Sequence, residues 1–235
     1  MIDLHSHVLP GIDDGSRSIE ESVAMLSELK RQGISTVVAT PHFYATEMTP
    51  EAFLKARHSA FEALHNTLED VPISLRLGAE VLYFEGICNF PTLKDFCISG
   101  TELLLLEMPF TRWSERAVHD ITRLNTESGL TVVLAHIDRY LRTQPVKTWE
   151  MLADQGILMQ VNAEFFSNRM TRRTAIRLFK NGFVHFIGSD CHDMEKRPPN
   201  MKAAIGIIEN NLGKDAVDYL QDLERDYFSS FEGVI

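Results

Sequence analysis

Short apolar runs alternate with helical patterns from one end of the chain to the other. The apolar runs cover residues 2–5, 36–40, 73–80, 103–107, 131–136, 158–162 and 184–190. They are rich in Val, Ile and Leu, as strands buried on both faces are. Ser18 and Glu21 form a capping-box pair around Ile19, Val23, Leu26 and Leu29, and Gly33 follows as a C-terminal stop. Thr49-Pro50 supplies N-cap and N1 of a second helix, with Phe53, Ala56, Ala60, Leu64 and Leu68 on one face. Further helical patterns lie at 113–127, 146–155, 171–181 and 200–225. Strands alternating with helices are the signature of parallel βα units. No linker, low-complexity segment or repeat interrupts them, so residues 1–235 read as a single α/β domain. Seven such units favour a closed or nearly closed barrel; periodicity alone leaves an open sheet possible.

In either architecture the active site lies where the strands end. The first run ends in His5-Ser6-His7, with Asp13-Asp14 in the loop beyond. The second ends at His42, the third at Glu80 and the fourth at Glu107. The fifth ends at His136, with Arg139 three residues on, and the seventh at Asp190-Cys191-His192. Any one of these alone reads as a solvated loop residue. Together they bring five histidines and four carboxylates (His5, His7, His42, His136, His192, Asp14, Glu80, Glu107, Asp190) to one rim. Buried without cations, such a cluster would repel itself. Divalent metals remove the conflict, and the H-x-H pair can chelate one because residues i and i+2 of a strand point the same way. Imidazole and carboxylate donors without thiolate suit Mn, Fe or Zn. Nine donors would serve two or three ions, and clustered divalent ions point to hydrolysis, usually of phosphate esters.

Composition narrows the classes further. The 235 residues carry 23 Lys+Arg against 33 Asp+Glu, a formal charge of −10. That balance argues against a nucleic-acid face, which needs a basic surface. No apolar run approaches the roughly 20 residues of a membrane span, and MIDLHSH lacks the layout of a signal peptide. Cys88, Cys97 and Cys191 form neither a disulfide framework nor a thiolate zinc site, which fits a reducing cytoplasm.

The ordered series MIDLHSHVLPGIDDG, ATPH, GAE, LLLLEMPF, AHIDR and GSDCH resembles the polymerase-and-histidinol-phosphatase (PHP) metallophosphoesterases. Within them it is similar to the protein-tyrosine phosphatases of bacterial capsule and exopolysaccharide synthesis. The resemblance implies a distorted seven-stranded TIM-like βα barrel and a trinuclear centre, commonly manganese. His5, His7, Glu107 and Asp190 would hold one ion, and Glu80 and His136 a second with Glu107 bridging. Asp14, His42 and His192 would hold the third. Arg139 and Arg197 would bind the substrate phosphate, and His42 is a further catalytic candidate, for proton transfer. The implied reaction is in-line attack on phosphorus by hydroxide generated at the metals. The implied partner is a phosphotyrosine protein, the C-terminal tail of a bacterial tyrosine kinase. Where the family often has H-P-E-R, this chain has His136-Ile137-Asp138-Arg139, which alters only the intervening loop.

Rival readings are a histidinol-phosphatase-like phosphoesterase, an amidohydrolase (which shares the H-x-H start) and a non-catalytic metal-bound scaffold. Cys191 and Arg197 also stand in the C-x5-R spacing of cysteine-dependent phosphatases. The intervening residues include no glycine and two acids, and Asp190 precedes the thiol, which disfavours a thiolate. Asp3 is expected to orient a histidine, and Phe43, Tyr44 and Phe110 to line a groove for an aromatic phosphopeptide. His58, His65, His119 and His185 read as packing or surface residues.

Overall fold

The computed structural model describes residues 1–68 and 71–228. Its strands are β1 (Ile2–Ser6), β2 (Thr36–Ala39), β3 (His42–Phe43), β4 (Ser74–Leu77), β5 (Glu80–Leu82), β6 (Leu103–Glu107), β7 (Thr131–Leu134), β8 (Leu158–Asn162) and β9 (Phe186–Gly188). The helices are α1 (Ile19–Arg31), α2 (Pro50–His65), α3 (Glu115–Glu127), α4 (Val146–Asp154), α5 (Ala163–Ser167), α6 (Arg172–Lys180), α7 (Met201–Leu212) and α8 (Lys214–Phe228).

Nine strand segments stand where the sequence predicts seven strands, because two of the seven are broken. One breaks at Thr40-Pro41, between β2 and β3, where proline has no N–H for the ladder. The other breaks at Gly78-Ala79, between β4 and β5. The sheets therefore run β1-β2-β4 and β3-β5-β6-β7-β8-β9, every pair parallel. Hydrogen bonds cross the breaks, from Thr40 N to Ser6 O (2.8 Å) and from Glu80 N to Pro41 O (3.0 Å). The far ends also meet. Asp190 N donates to His5 O at 2.8 Å and His7 N to Cys191 O at 2.9 Å. This closure needs Gly188: a Cβ there would lie 2.5 Å from the Cβ of His5.

Two apolar clusters follow from the alternation of the strands. Leu104 and Leu106 of β6, with Val132 and Leu134 of β7, face the helices. Leu103, Leu105, Val133, Ala135, Leu158 and Phe186 meet Ile2, Leu4, Val38 and Phe228 in a second cluster. On β6 and β8 the same inward alternation runs on to Glu107, Gln160 and Asn162, so polar residues lie above apolar ones. Phe228 of α8, with Leu223 and Tyr227 packed alongside, joins the inner cluster.

The helices match their sequence signals. Ser18 Oγ accepts from Glu21 N at 3.3 Å, while the Glu21 carboxylate takes Arg17 N at 2.8 Å, a capping box displaced by one residue. Thr49 and Ser114 cap α2 and α3 in the same way. The pattern at 200–225 is two helices, split at Gly213 with φ of +88°. The five-residue α5 has no sequence counterpart, being too short to show a period. Leu68 lies beyond the end of α2 but is still buried.

Candidate metal centre

His5 sits at the end of β1 and His7 just past it, and their backbone surroundings are tight. A Cβ on Gly15 would lie 2.3 Å from His7 O, so only glycine lets that loop return over the strand. Each ring is held by its Nδ1. Gln160 Oε1 stands 3.2 Å from Nδ1 of His5, and Asp13 Oδ2 stands 2.7 Å from Nδ1 of His7. The amide oxygen of Gln160 and the carboxylate of Asp13 both accept, which places the proton on Nδ1 and leaves the Nε2 lone pairs free. Those two Nε2 atoms face each other at 3.1 Å. Glu80 Oε2 is 3.2 and 3.4 Å from them, and Asp190 Oδ1 is 3.6 and 3.5 Å away.

The remaining donors continue outward from Glu80. His136 Nε2 is 2.7 Å from Glu80 Oε1 and 3.5 Å from Glu107 Oε1. Alternation from Val133 and Ala135 would send His136 to the helix side; its left-handed backbone, φ +31°, turns the ring onto the carboxylates instead. His42 Nδ1 lies 2.9 Å from Glu80 Oε2 and 3.9 Å from Glu107 Oε2. Asp14 Oδ1 stands 3.5 Å from His42 Nε2 and 3.4 Å from His192 Nε2. All nine sequence-predicted donors therefore gather at one rim. Three groups of ligand atoms fall within 4.8 Å of one another: His5, His7 and Asp190; His7, Asp14, His42 and His192; and His42, Glu80 and Glu107.

These residues fit cations. Imidazole nitrogens bind such metals at about 2.0–2.1 Å, so two on one ion at near-right angles lie about 3 Å apart, the spacing of His5 and His7. His42 Nδ1 and Glu80 Oε2 approach closely yet neither has a hydrogen-bond partner, and buried His192 Nε2 and His136 Nδ1 have none either. Buried polar atoms are normally satisfied, and these, His136 Nδ1 aside, point at common points in space. The charges agree. Burial would lower His7, but Asp13, Asp190 and Glu80 outweigh it and hold His7 well above its ordinary value. Burial likewise opposes His136, but Glu107 and Glu80 raise it to about 9. Against the pull of burial, the surrounding imidazoles hold Glu80, and His5, His7 and Arg139 hold Asp190, well below the carboxylate range. The site demands positive charge at its imidazole nitrogens, and a divalent ion meets that demand while displacing protons.

Residues 1–223 match the family model for capsular polysaccharide synthesis, CpsB/CapC. The chain belongs to the CpsB/CapC family. It is 32% identical to tyrosine-protein phosphatase CpsB of Streptococcus pneumoniae over 96% of this chain and 97% of that protein. To tyrosine-protein phosphatase YwqE of Bacillus subtilis it is 28% identical, over 92% and 86%. A crystal structure from work on YwqE and CpsB, described as metal-dependent tyrosine phosphatases, superposes with a TM-score of 0.83. That match is at 26% identity and covers 96% of this chain and 93% of the other. A TatD-family hydrolase from Entamoeba histolytica, at 12% identity and a TM-score of 0.56, shares the fold alone. Family membership sets aside the amidohydrolase reading of the H-x-H start.

In this CpsB/CapC chain both expected phosphate-binding arginines reach the centre. Arg139 and Arg197 converge on Asp190 Oδ2, Arg197 Nη2 at 2.6 Å, with their side chains 34% and 36% exposed. Their outer faces are open to an arriving anion. Asp190 itself holds a left-handed backbone, φ +52°.

Three residues at the centre have no assigned role in the sequence reading. Asp13 braces His7 and also accepts His42 N at 3.0 Å. Gln160 accepts from His136 N at 2.6 Å as well as meeting His5, and its Nε2 donates to Asn162 Oδ1 at 3.0 Å. Asn162 Nδ2 then donates to Asp190 Oδ2 at 2.8 Å. Of the seven apolar runs read from the sequence, the sixth, now β8, is the one whose end supplies no ligand candidate, and it supplies the brace. Its alternation, with Leu158, Gln160 and Asn162 on one face, is the signal that could have found it. The expectation for Asp3 is corrected: its carboxylate accepts from Ser189 N at 2.7 Å and Ser189 Oγ at 2.5 Å, fixing the β9 loop and no imidazole ring.

Cys191 is fully buried, and burial with Asp3 and Asp190 nearby pushes its thiol well above the usual range. A thiol this buried is closed to a phosphoryl group and disfavoured as a thiolate. Cys191→Ser is expected to keep phosphatase activity within about threefold, measured as steady-state turnover; near-total loss would reinstate the cysteine. His58, His65 and His119 are exposed, as expected. His185 accepts from Met159 N and is lowered to about 4 by burial. Among the described residues, no helix is long and apolar enough to cross a membrane.

Proposed function

We propose that this chain removes phosphate from phosphotyrosine in proteins, with three divalent ions, manganese by preference, held by the nine rim residues. The observation that carries the reading is the convergence on Asp190. One of its oxygens faces the His5–His7 pair and the other takes both arginines. A phosphoryl group bound beside it would meet cations on both sides. Bound ions supply an acidified water and polarise the phosphoryl oxygens. Arg139 and Arg197 orient the phosphate dianion and neutralise charge that grows on it. Gln160, Asn162 and Asp13 keep the imidazoles and Asp190 in place for that. His42, the most exposed of the five imidazoles at 14%, is the candidate for proton transfer to the leaving oxygen, a role open only to a ring nitrogen that holds no ion. A phenol's pKa near about 10 makes that help less necessary than for an alkoxide.

Membership of a capsule-synthesis family, together with relatives named tyrosine-protein phosphatases, supports a protein substrate. The C-terminal tail of a bacterial tyrosine kinase is the proposed partner, and the cytoplasm the proposed location.

The test couples metal analysis to phosphate release from a phosphotyrosine peptide. Chelation is expected to abolish turnover and lower the melting temperature, and Mn²⁺ to restore both. Metal-loaded protein that hydrolyses histidinol phosphate but not the peptide would overturn the reading in favour of a small-molecule phosphatase. Metal-loaded protein that hydrolyses neither would leave a scaffold.

A further inference from the structure

Phe110 follows β6 in the loop that leaves Glu107, and its side chain is 54% exposed. Large aromatic rings are normally buried or half-covered, and Phe43, expected to line a groove, is instead buried in the core against Phe53 and Phe96. The exposure of Phe110 is not the result of a loose loop. Its ring stacks on His136 (centroids 6.1 Å, 25°) and on Tyr140 (5.7 Å, 29°), and the Arg139 guanidinium lies 6.0 Å from its centroid. An uncovered aromatic surface is thus fixed against one ligand candidate and one phosphate-binding candidate.

The other aromatic at the rim is in different company. Tyr44 stacks on His42 (5.2 Å, 20°) and lines a cleft of about 400 Å³ with Asp13, Asp14 and Glu47. Glu47 on that side, which has no part in holding the ions, disfavours a substrate that carries a dianion, whereas Arg139 draws it toward Phe110. An aryl ester places its ring one bond from the phosphate oxygen, within reach of a stacking partner; an alkyl ester of serine or threonine has no ring to offer. Offset stacked or edge-on rings gain most at centroid separations of about 4.5–7 Å.

We propose that Phe110 is the specificity-determining residue of this centre: the substrate's phenyl ring packs on its exposed face while Arg139 holds the phosphate. The proposal rests on the tyrosine-phosphatase reading and adds to it the residue that selects aryl over alkyl esters.

Binding of two non-hydrolysable probes to the Mn²⁺-loaded protein tests this by calorimetry. Benzylphosphonate is isosteric with phenyl phosphate, and methylphosphonate lacks the ring. Wild type is expected to bind the benzyl compound about tenfold more tightly. Phe110→Ala should bring that ratio to within about twofold of unity, and Phe110→Tyr should keep it. The ratio cancels any general weakening caused by a displaced Arg139. No benzyl preference in wild type, an undiminished preference in Phe110→Ala, or its loss in Tyr44→Leu would overturn the proposal. Turnover of a phosphotyrosine peptide by wild type is measured alongside. If it is absent, the parent reading fails; if it is present and the ratio survives Phe110→Ala, only the role of Phe110 fails.

Discussion

Asp190→Asn is expected to lower kcat/KM on a phosphotyrosine peptide by at least about a thousandfold, with loss of bound metal. The substitution is chosen to leave the fold alone. Asparagine tolerates the left-handed backbone at this position better than alanine does, and it preserves the shape of the side chain. What it removes is charge at a junction. Oδ1 lies 3.6 and 3.5 Å from the Nε2 atoms of His5 and His7, and Oδ2 accepts from Asn162 and from both arginines. An amide cannot serve both sides: if its oxygen faces the arginines, its NH₂ faces the metal position, and the reverse is no better. A thousandfold corresponds to about 4 kcal/mol of transition-state stabilisation, reasonable for losing one ligand charge and the common anchor of two phosphate-binding groups. Metal content by mass spectrometry and steady-state kinetics decide the matter. An unchanged melting temperature in the metal-free state would show that the fold survives. Full metal content with turnover within tenfold of wild type would remove Asp190 from the centre.

The parts of this centre that could be read from the sequence are those that obey a local rule. Strand ends are marked by apolar runs stopping at polar residues, which places His5, Glu107 and His136 on one rim from the sequence alone. The H-x-H spacing followed from alternation. Residues whose role depends on long-range packing carried no such mark. Gln160 reaches His5 across 155 residues of sequence, and it reads as an ordinary strand glutamine until the barrel closes. Asp13 sat beside Asp14 in one loop, and nothing in that dipeptide says which carboxylate braces His7 and which faces outward toward His42 and His192. The breaks in the strands carry no local mark for a related reason. Gly78 sits inside the 73–80 run and Pro41 directly follows the 36–40 run, and only pairing with a neighbour shows the ladder resuming on the far side. The bridging position shows the same limit. Resemblance assigns it to Glu107, and no local sequence rule marks that Glu80 also stands within 3.4 Å of His5, His7, His42 and His136.

Arg139→Ala is the second large effect, expected to cost about a hundred- to a thousandfold in kcat/KM with metal content unchanged. Removing one preorganised donor that neutralises developing charge typically has that magnitude. Arg139 sits in a short helical turn directly after His136 and is tied to Asp190 Oδ2, so its position is set by the metal-facing groups without being one of them. Burial would weaken its charge, yet the carboxylates around it, Asp190 first, raise its pKa above the usual value, and it stays a cation throughout the working pH range. Arg139→Lys keeps a charge but loses the planar fork that can hold two phosphoryl oxygens at once, so it should recover only part of the loss. Arg197 shares the same carboxylate oxygen. The two arginines therefore act as one unit, and the double substitution should cost less than the product of the single losses. The measurement is a set of kinetic constants for the two single and one double variant, each with its metal content. Loss of metal in proportion to activity in Arg139→Ala would mean that the arginine supports the centre and does not hold the phosphate.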